Sequence, residues 1–293
     1  MAPETIWSLG YGSNMNTNAL ELKKHVKVIE STPAILKDHR MAFNIEGGHH
    51  VETGFSGLVE SPGSELHGLA IKMDLQNMHA LDRSEGYDPN GSRGYKKKNV
   101  VFHTYDGREL EGFVYINRRP PVEEYLPSSR YMGLLIRGAR RAGLHQGYVS
   151  MLENHPVYTP NAATLKARLE RPAPASLPEI TFKELSERLD CVSCMGYVMV
   201  ADGGFGSHRG RDITSRALIN YHGISLDTYD DGGLPPYPLV KDMKEDELEY
   251  VTQWVDRYSL NSDDTSRPII GYLKEFKEQQ ESGRTEFVMP PIP

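Results

Sequence analysis

The first half of the chain alternates short apolar runs with glycine, proline and asparagine. "TIWSL", "HRMAFNI", "FSGLVES", "LHGLAIKM", "KNVVFHTY" and "LEGFVYIN" are rich in β-branched and aromatic residues, which predicts six short strands. Asp106-Gly107 in "YDGRE" (Tyr105 to Glu109) lies between two of them and signals a hairpin; the Pro-Gly of "SPGSE" (Ser61 to Glu65) is read the same way. Short strands joined by tight turns predict an antiparallel sheet that curls into a small barrel. Helical spacing interrupts the pattern. "DLQNMHALDRSEG" puts Leu75, Met78 and Leu81 on one face, with Asp74 as N-cap and Gly86 near the end. A longer helix is expected over Ser128 to Gly143, and a short one over "GYVSMLENH".

The pattern shifts at "ERPAPASLPE" (Glu170 to Glu179), where Pro172, Pro174 and Pro178 make a stiff connector and a candidate boundary. Beyond it, Thr181 and Glu184 form a capping box that opens a helix at "TFKELSERL". "CMGYVMVADG" reads as one strand, and "DITSRALINYHG" as a helix closed by Gly223. "KEDELEYVTQWVDRYSL" aligns Leu248, Val251, Val255 and Tyr258 on one helical face, and "RPIIGYLKEFKEQQESG" reads as a last helix. The expected fold class is α+β: a small, mostly antiparallel β-barrel with flanking helices over residues 1–169, plus an α/β extension over 170–293 that packs on it.

Composition narrows the function classes. The 293 residues carry a formal net charge of −7, with 38% hydrophobic and 25% charged residues, enough for a packed core. That balance argues against a general nucleic-acid binder, and the basic clusters Lys96-Lys97-Lys98 and "RGARRAG" read as solvated faces. No membrane span and no secretory segment is visible, so a soluble, cytoplasmic protein is expected. Cys191 and Cys194 in "DCVSC" are the only cysteines. A zinc site needs about four ligands and no second C-x-x-C exists, so they are read as structural. His49 and His50 read as solvent-facing loop residues.

Two stretches carry candidate chemistry. In "WSLGYGSNMN" (Trp7 to Asn16) a strand runs into Gly-Tyr-Gly-Ser-Asn, where Gly10 and Gly12 allow backbone angles that a side chain would forbid. The loop is either an ordinary strand exit or a nest of amides that cradles a carboxylate or phosphate. In "ALDRSEGYDPNGSRGY" (Ala80 to Tyr95), Glu85 stands where a helix ends. A carboxylate there is either a surface residue or one aimed into a cavity, where partial burial would raise its pKa towards neutrality and suit it to proton transfer. The glycine-rich "ADGGFGSHRGRD" places His208, Arg209 and Arg211 together, either as a surface loop or as a carboxylate-binding one.

Taken in order, these stretches resemble the γ-glutamylcyclotransferases. "YGSNM" (Tyr11 to Met15) is similar to that family's Tyr-Gly-Ser-Asn-Leu loop, and "LDRSEG" to the turn that holds its catalytic glutamate. "AILKDHRMAF", "GLVESPGSELHGLAIKM", "GYKKKNVVF" and "SSRYMGLLIRGARRAGL" resemble the strands and helix that complete it, over about Ile6 to Pro156. The resemblance implies a γ-glutamylcyclotransferase-like domain over 1–169 that releases 5-oxoproline from a γ-glutamyl amide or a glutathione-derived conjugate, a small-molecule substrate, with Glu85 as the catalytic residue. It implies a substrate-binding set of Tyr11, Gly12, Ser13, Asn14, Tyr95 and Tyr131, and no metal or organic cofactor. Tyr95 and Tyr131 either hydrogen-bond the glutamyl unit or simply pack. The length beyond Pro156 resembles the longer fungal cyclotransferases of gliotoxin-type epidithiodiketopiperazine pathways. In this chain the extension is expected either to wall or widen a pocket for a bulky glutathione-derived substrate, or to serve as a scaffold or a homodimer contact. A non-catalytic γ-glutamyl-binding module and a γ-glutamylamine cyclotransferase remain the alternatives.

Overall fold

A computed structural model describes residues 4–49, 52–90, 95–118, 123–200, 208–224, 232–260 and 267–290. The chain divides into two compact units, one taking Met1–Gly48 and Glu52–Tyr158, the other Thr159–Ile292. Among the described residues no helix is long and apolar enough to cross a membrane.

The first unit is a closed five-stranded barrel in the order β1-β3-β2-β4-β5 with four helices: strands β1 (Thr5–Gly10), β2 (Glu30–His49), β3 (Glu52–Asp74), β4 (Tyr95–Thr104) and β5 (Glu109–Asn117), and helices α1 (Thr17–Lys24), α2 (Leu75–Ser84), α3 (Ser129–Arg141) and α4 (Gln146–Glu153). β1 pairs antiparallel with β3, from Thr5 opposite Asp74 to Gly10 opposite Leu69, and parallel with β5 at Trp7 and Ser8. The Asp106-Gly107 turn joins β4 to β5, with Gly107 at φ 88°. Alternation along β3 and β5 splits their side chains between two apolar layers. Leu69, Ile71, Met73 and Phe113 pack with Leu135, Val149 and Leu152 of the helices, while Ala70 and Val114 pack with Leu9, Leu36 and Phe102.

The Pro-Gly of "SPGSE" is not a hairpin. "FSGLVES" and "LHGLAIKM" are one strand, β3, which passes through Gly63 at φ 79°. The Gly63 amide donates to Oδ1 of Asp38 at 2.8 Å, and Asp38 in β2 is itself at φ 58°. Two left-handed residues tied together bend both long strands without ending either, which is how a bulge curves a barrel wall.

The second unit is a four-stranded sheet in the order β6-β9-β8-β7, made of β6 (Glu179–Ile180), β7 (Cys191–Cys194), β8 (Tyr197–Val200) and β9 (Ile269–Leu273). Its helices are α5 (Ala162–Leu169), α6 (Phe182–Glu187), α7 (Thr214–Tyr221), α8 (Glu245–Ser259) and α9 (Lys274–Ser282). The β6–β9 pair is parallel and the other two are antiparallel, so the extension is a mixed α/β layer. The capping box of Thr181 and Glu184 opens α6 with both reciprocal bonds made. Two expectations are corrected. "CMGYVMVADG" is not one strand: Met195 (φ 52°) and Gly196 (φ 78°) form a two-residue turn between β7 and β8. "RPIIGYLKEFKEQQESG" is strand β9 and then α9, because the β-branched "II" pairs with β8 before the charged helical run begins. His50 and residues 201–207 lie outside the described residues, as does the side chain of His49.

Candidate active site

β1 delivers the Tyr11–Asn14 loop to one end of the barrel, where a 3₁₀ turn (Ser13–Met15) leads into α1 under an Asn16 cap. The glycines serve space rather than angle. Neither Gly10 nor Gly12 has a positive φ. A Cβ on Gly12 would stand 2.5 Å from Oγ of Ser56, and one on Gly10 would stand 3.0 Å from Asn14. The expected backbone freedom is therefore corrected to close packing of the loop on β3 and on itself.

α2 delivers Glu85. Asp74 caps the helix start by accepting from the amide of Asn77 at 2.8 Å, Glu85 ends it with φ −87° and ψ −2°, and Gly86 turns the chain away at φ 61°. Leu81 on the same helix is buried in the core, which fixes the face from which Glu85 projects. α3 delivers Tyr131 just after its Ser128 cap, and the Tyr131 hydroxyl lies 2.7 Å from Oγ of Ser56.

These elements line a pocket open to solvent, with about 370 Å³ of atom-free space that includes its mouth, bordered by Tyr11, Gly12, Ser13, Asn14, Glu85, Tyr95 and Tyr131 together with Leu9, Gly10, Ser56 and Tyr115. Every site residue expected from the sequence thus falls on one cavity, although their numbers span 120 positions from Tyr11 to Tyr131. Glu85 is the only carboxylate among the lining residues. Of the two placements expected for Glu85 it takes the one aimed into a cavity, and its surroundings are polar: Oε1 accepts from Nδ2 of Asn14 at 3.1 Å and from Nζ of Lys24. The same Lys24 ammonium donates to Oδ1 of Asn14 at 2.7 Å. The Asn14 side chain is therefore engaged by Glu85 and Lys24.

The tyrosines stay neutral. Burial pushes the hydroxyls of Tyr11, Tyr95 and Tyr115 well above the usual phenol range, reinforced at Tyr115 by the Asp82 carboxylate and at Tyr11 and Tyr95 by neighbouring phenols and Glu85. They act as hydrogen-bonding groups, not as bases. Tyr11 donates to the carbonyl of Tyr115 at 2.6 Å, and Tyr115 donates to Oδ1 of Asp82 at 2.6 Å. Asp82 in turn accepts from Nζ of Lys97 at 2.8 Å. Among the described residues no three histidine, cysteine or acidic side chains gather as a metal site would require.

Sequence reasoning missed Lys24, Ser56 and Tyr115. Lys24 looks like an ordinary cation at a helix C-terminus, Ser56 like a polar strand residue, and Tyr115 like part of the β5 alternation. The barrel's closure brings Ser56 and Tyr115 beside the loop, and helix α1, which follows the loop, returns Lys24 to it.

Comparison with known proteins identifies relatives of this barrel unit. Residues 65–152 match the AIG2-like family. The γ-glutamylcyclotransferase of Bos taurus is 30% identical over 154 residues, which covers 52% of this chain and 79% of the bovine one. The γ-glutamyl cyclotransferase aclK of Aspergillus oryzae is 25% identical over 180 residues, covering 54% of this chain and 64% of that one. A solved γ-glutamyl cyclotransferase structure aligns with a TM-score of 0.47 at 26% identity, over 54% of this chain and 93% of its own.

Proposed function

Since the chain belongs to the γ-glutamylcyclotransferase family, we propose that its pocket holds a γ-glutamyl unit and that Glu85 carries the proton traffic of its cyclisation. The observation that supports this reading is the placement of a lone carboxylate, Glu85, on the same cavity as the Tyr11–Asn14 loop. In the proposed reaction the α-ammonium of the glutamyl unit gives a proton to Glu85. The freed amine attacks its own γ-carbonyl, and a five-membered ring closes. The tetrahedral adduct collapses, the C–N bond to the leaving amine breaks, and Glu85 returns its proton to that nitrogen. The ring nitrogen gives up its second proton, which Glu85 passes to the same leaving nitrogen, so the products are 5-oxoproline and the protonated amine, with atoms and charge balanced and no outside reagent used.

The protein's main task is then to hold the substrate folded back on itself. Fixing an attacking group against its electrophile is worth up to about 7–11 kcal/mol in well-aligned cases. The hydroxyls of Tyr95 and Tyr131 suit a role in steadying the glutamyl carbonyl, and the Tyr11–Asn14 loop a role in receiving the α-carboxylate. The leaving group is proposed to be an amino-acid or peptide amine, with glutathione-derived conjugates as the bulkier case.

The test is a 5-oxoproline release assay on the wild type and Glu85→Gln. The substrates are glutathione, γ-Glu-Ala, ε-(γ-glutamyl)lysine and a bulky bis-glutathione conjugate. Release from at least one of them, lost in Glu85→Gln while the thermal midpoint holds, supports the reading. Undiminished turnover in Glu85→Gln would remove Glu85 as the base. Release from the lysine derivative alone would move the chain to γ-glutamylamine chemistry.

A further inference from the structure

Lys24 ends α1, ten positions after Asn14, where a lysine ordinarily faces solvent and complements the helix dipole. Here its ammonium is turned inward onto groups from two other segments. It donates to Oδ1 of Asn14 at 2.7 Å and to Oε1 of Glu85, while Nδ2 of Asn14 donates to that same Oε1 at 3.1 Å. The three side chains close a triangle. The Lys24 and Glu85 side chains are only 17% and 13% exposed, so solvent and salt screen this pair far less than a surface one.

The triangle has a direction. Asn14 and Glu85 line the pocket, whereas Lys24 is not among its lining residues. Lysine has three donors and no acceptor, so it obliges Asn14 to turn its oxygen towards Lys24 and its nitrogen towards Glu85. Both donors converge on Oε1, and Oε2 receives no hydrogen bond among the described residues.

We propose that Lys24 is a positioning residue that clamps Glu85 and Asn14 from behind the pocket wall, so that Oε2 of Glu85 is left to exchange the proton with the γ-glutamyl amine. The clamp rests on the cyclotransferase reading and extends it. A carboxylate on a flexible side chain must be stationed within hydrogen-bond reach of the amine, and small misplacement of a catalytic group costs rate out of proportion to distance. An ammonium is suited to the task because it fixes one oxygen without lining the cavity. Removing it frees Glu85 to rotate and Asn14 to flip, with the cavity itself left intact.

The test uses the full-length protein with Lys24→Met, which keeps the stem and removes the charge, Lys24→Arg, which restores a donor, and Glu85→Gln. The clamp predicts that Lys24→Met lowers kcat by about tenfold or more with KM changed by less than about threefold, since an interaction that matters to the reacting geometry acts on kcat rather than on binding. Lys24→Arg is expected to recover a substantial part of that loss. A purely structural lysine would instead lower the thermal midpoint and move kcat and KM together. A Lys24→Met enzyme within about twofold of wild type, beside an inactive Glu85→Gln, overturns the clamp and leaves the cyclotransferase reading standing. If no γ-glutamyl substrate is turned over, that reading fails, and the clamp is judged by a second signal. The ammonium of Lys24, followed by ¹⁵N NMR, should give a protected resonance that shifts in Glu85→Gln. A resonance that ignores the Glu85 substitution overturns the clamp.

Discussion

At Gly12 a single missing methyl decides whether the loop can reach its station. Its absent Cβ would lie 2.5 Å from Oγ of Ser56, and that Oγ is hydrogen-bonded to Tyr131 and not free to swing aside. Gly12→Ala is therefore expected to destabilise the protein by about 1–3 kcal/mol, the usual cost of overpacking, and to reduce turnover as the loop shifts. Ser56→Ala removes the clashing atom, leaving the Tyr131 hydroxyl at 3.4 Å and the Ser56 Cβ at 3.7 Å as the nearest neighbours. In urea unfolding, adding Gly12→Ala to Ser56→Ala should cost clearly less than adding it to the wild type. Equal costs in the two backgrounds would show that space at Ser56 is not the constraint. At this scale the sequence was legible where residues sit close in the chain. Tyr11 to Asn14 share one loop and Glu85 ends a helix with a readable cap. Ser56 and Tyr115 were not legible, because Gly12 and Tyr11 lie 44 and 104 positions away and meet them only through barrel closure, and Lys24 was not, because its bond to Glu85 crosses 61 positions although Asn14 is only ten away.

At the scale of elements, hydrophobic period and capping residues identified α2, α3, α6, α7 and α8 well, because each carries its own start signal or apolar face. Turn signals were less decisive. Pro-Gly at Pro62-Gly63 bends β3 instead of ending it, and Met195-Gly196 ends β7 without a Pro-Gly or Asp-Gly signature. What separates the cases is pairing: a glycine bends a strand when its partner strand bends with it, and the tie from Gly63 to Asp38 is invisible before the strands are aligned. The hairpin also explains the two cysteines. In a strand, positions three apart point to opposite faces. Cys191 accordingly packs with Leu185 and Phe276, and Cys194 with Trp254 and Val255. Both are free thiols, and burial pushes each above its usual pKa, Cys191 to about 11. The native protein should react slowly with a thiol reagent at neutral pH, and two thiols should appear on denaturation even after exposure to a mild oxidant. Recovery of an intramolecular Cys191–Cys194 disulfide from folded protein would contradict this placement.

Across the whole molecule, each of the two units has its own reporter. The chain has two tryptophans, Trp7 on β1 of the barrel and Trp254 on α8 of the second unit. Trp254 lies against His208, with ring centres 5.6 Å apart, and His208 Nδ1 is 2.7 Å from the hydroxyl of Tyr258. Burial, with the nearby charges of Arg216, Arg257 and Arg211, lowers the His208 pKa from 6.5 to about 4. The folded protein therefore keeps this imidazole neutral over a range in which the unfolded chain binds a proton. Its contribution to stability is complete above about pH 6.5 and is lost as the pH falls towards 4, a difference on the order of 3 kcal/mol. In a Trp7→Phe background the remaining fluorescence reports the second unit alone. Urea midpoints followed through Trp254 should fall between pH 7 and pH 4.5, and His208→Gln should flatten that slope while lowering the midpoint at pH 7 through the lost Tyr258 contact. A slope unchanged by His208→Gln would assign the acid sensitivity to other groups. The same titration followed through Trp7 in a Trp254→Phe background separates the units further. Every lining residue of the pocket lies in the barrel unit, so the Trp7 signal is the one that follows the unit carrying the pocket, and an acid loss seen through Trp254 but absent through Trp7 would assign that loss to the second unit.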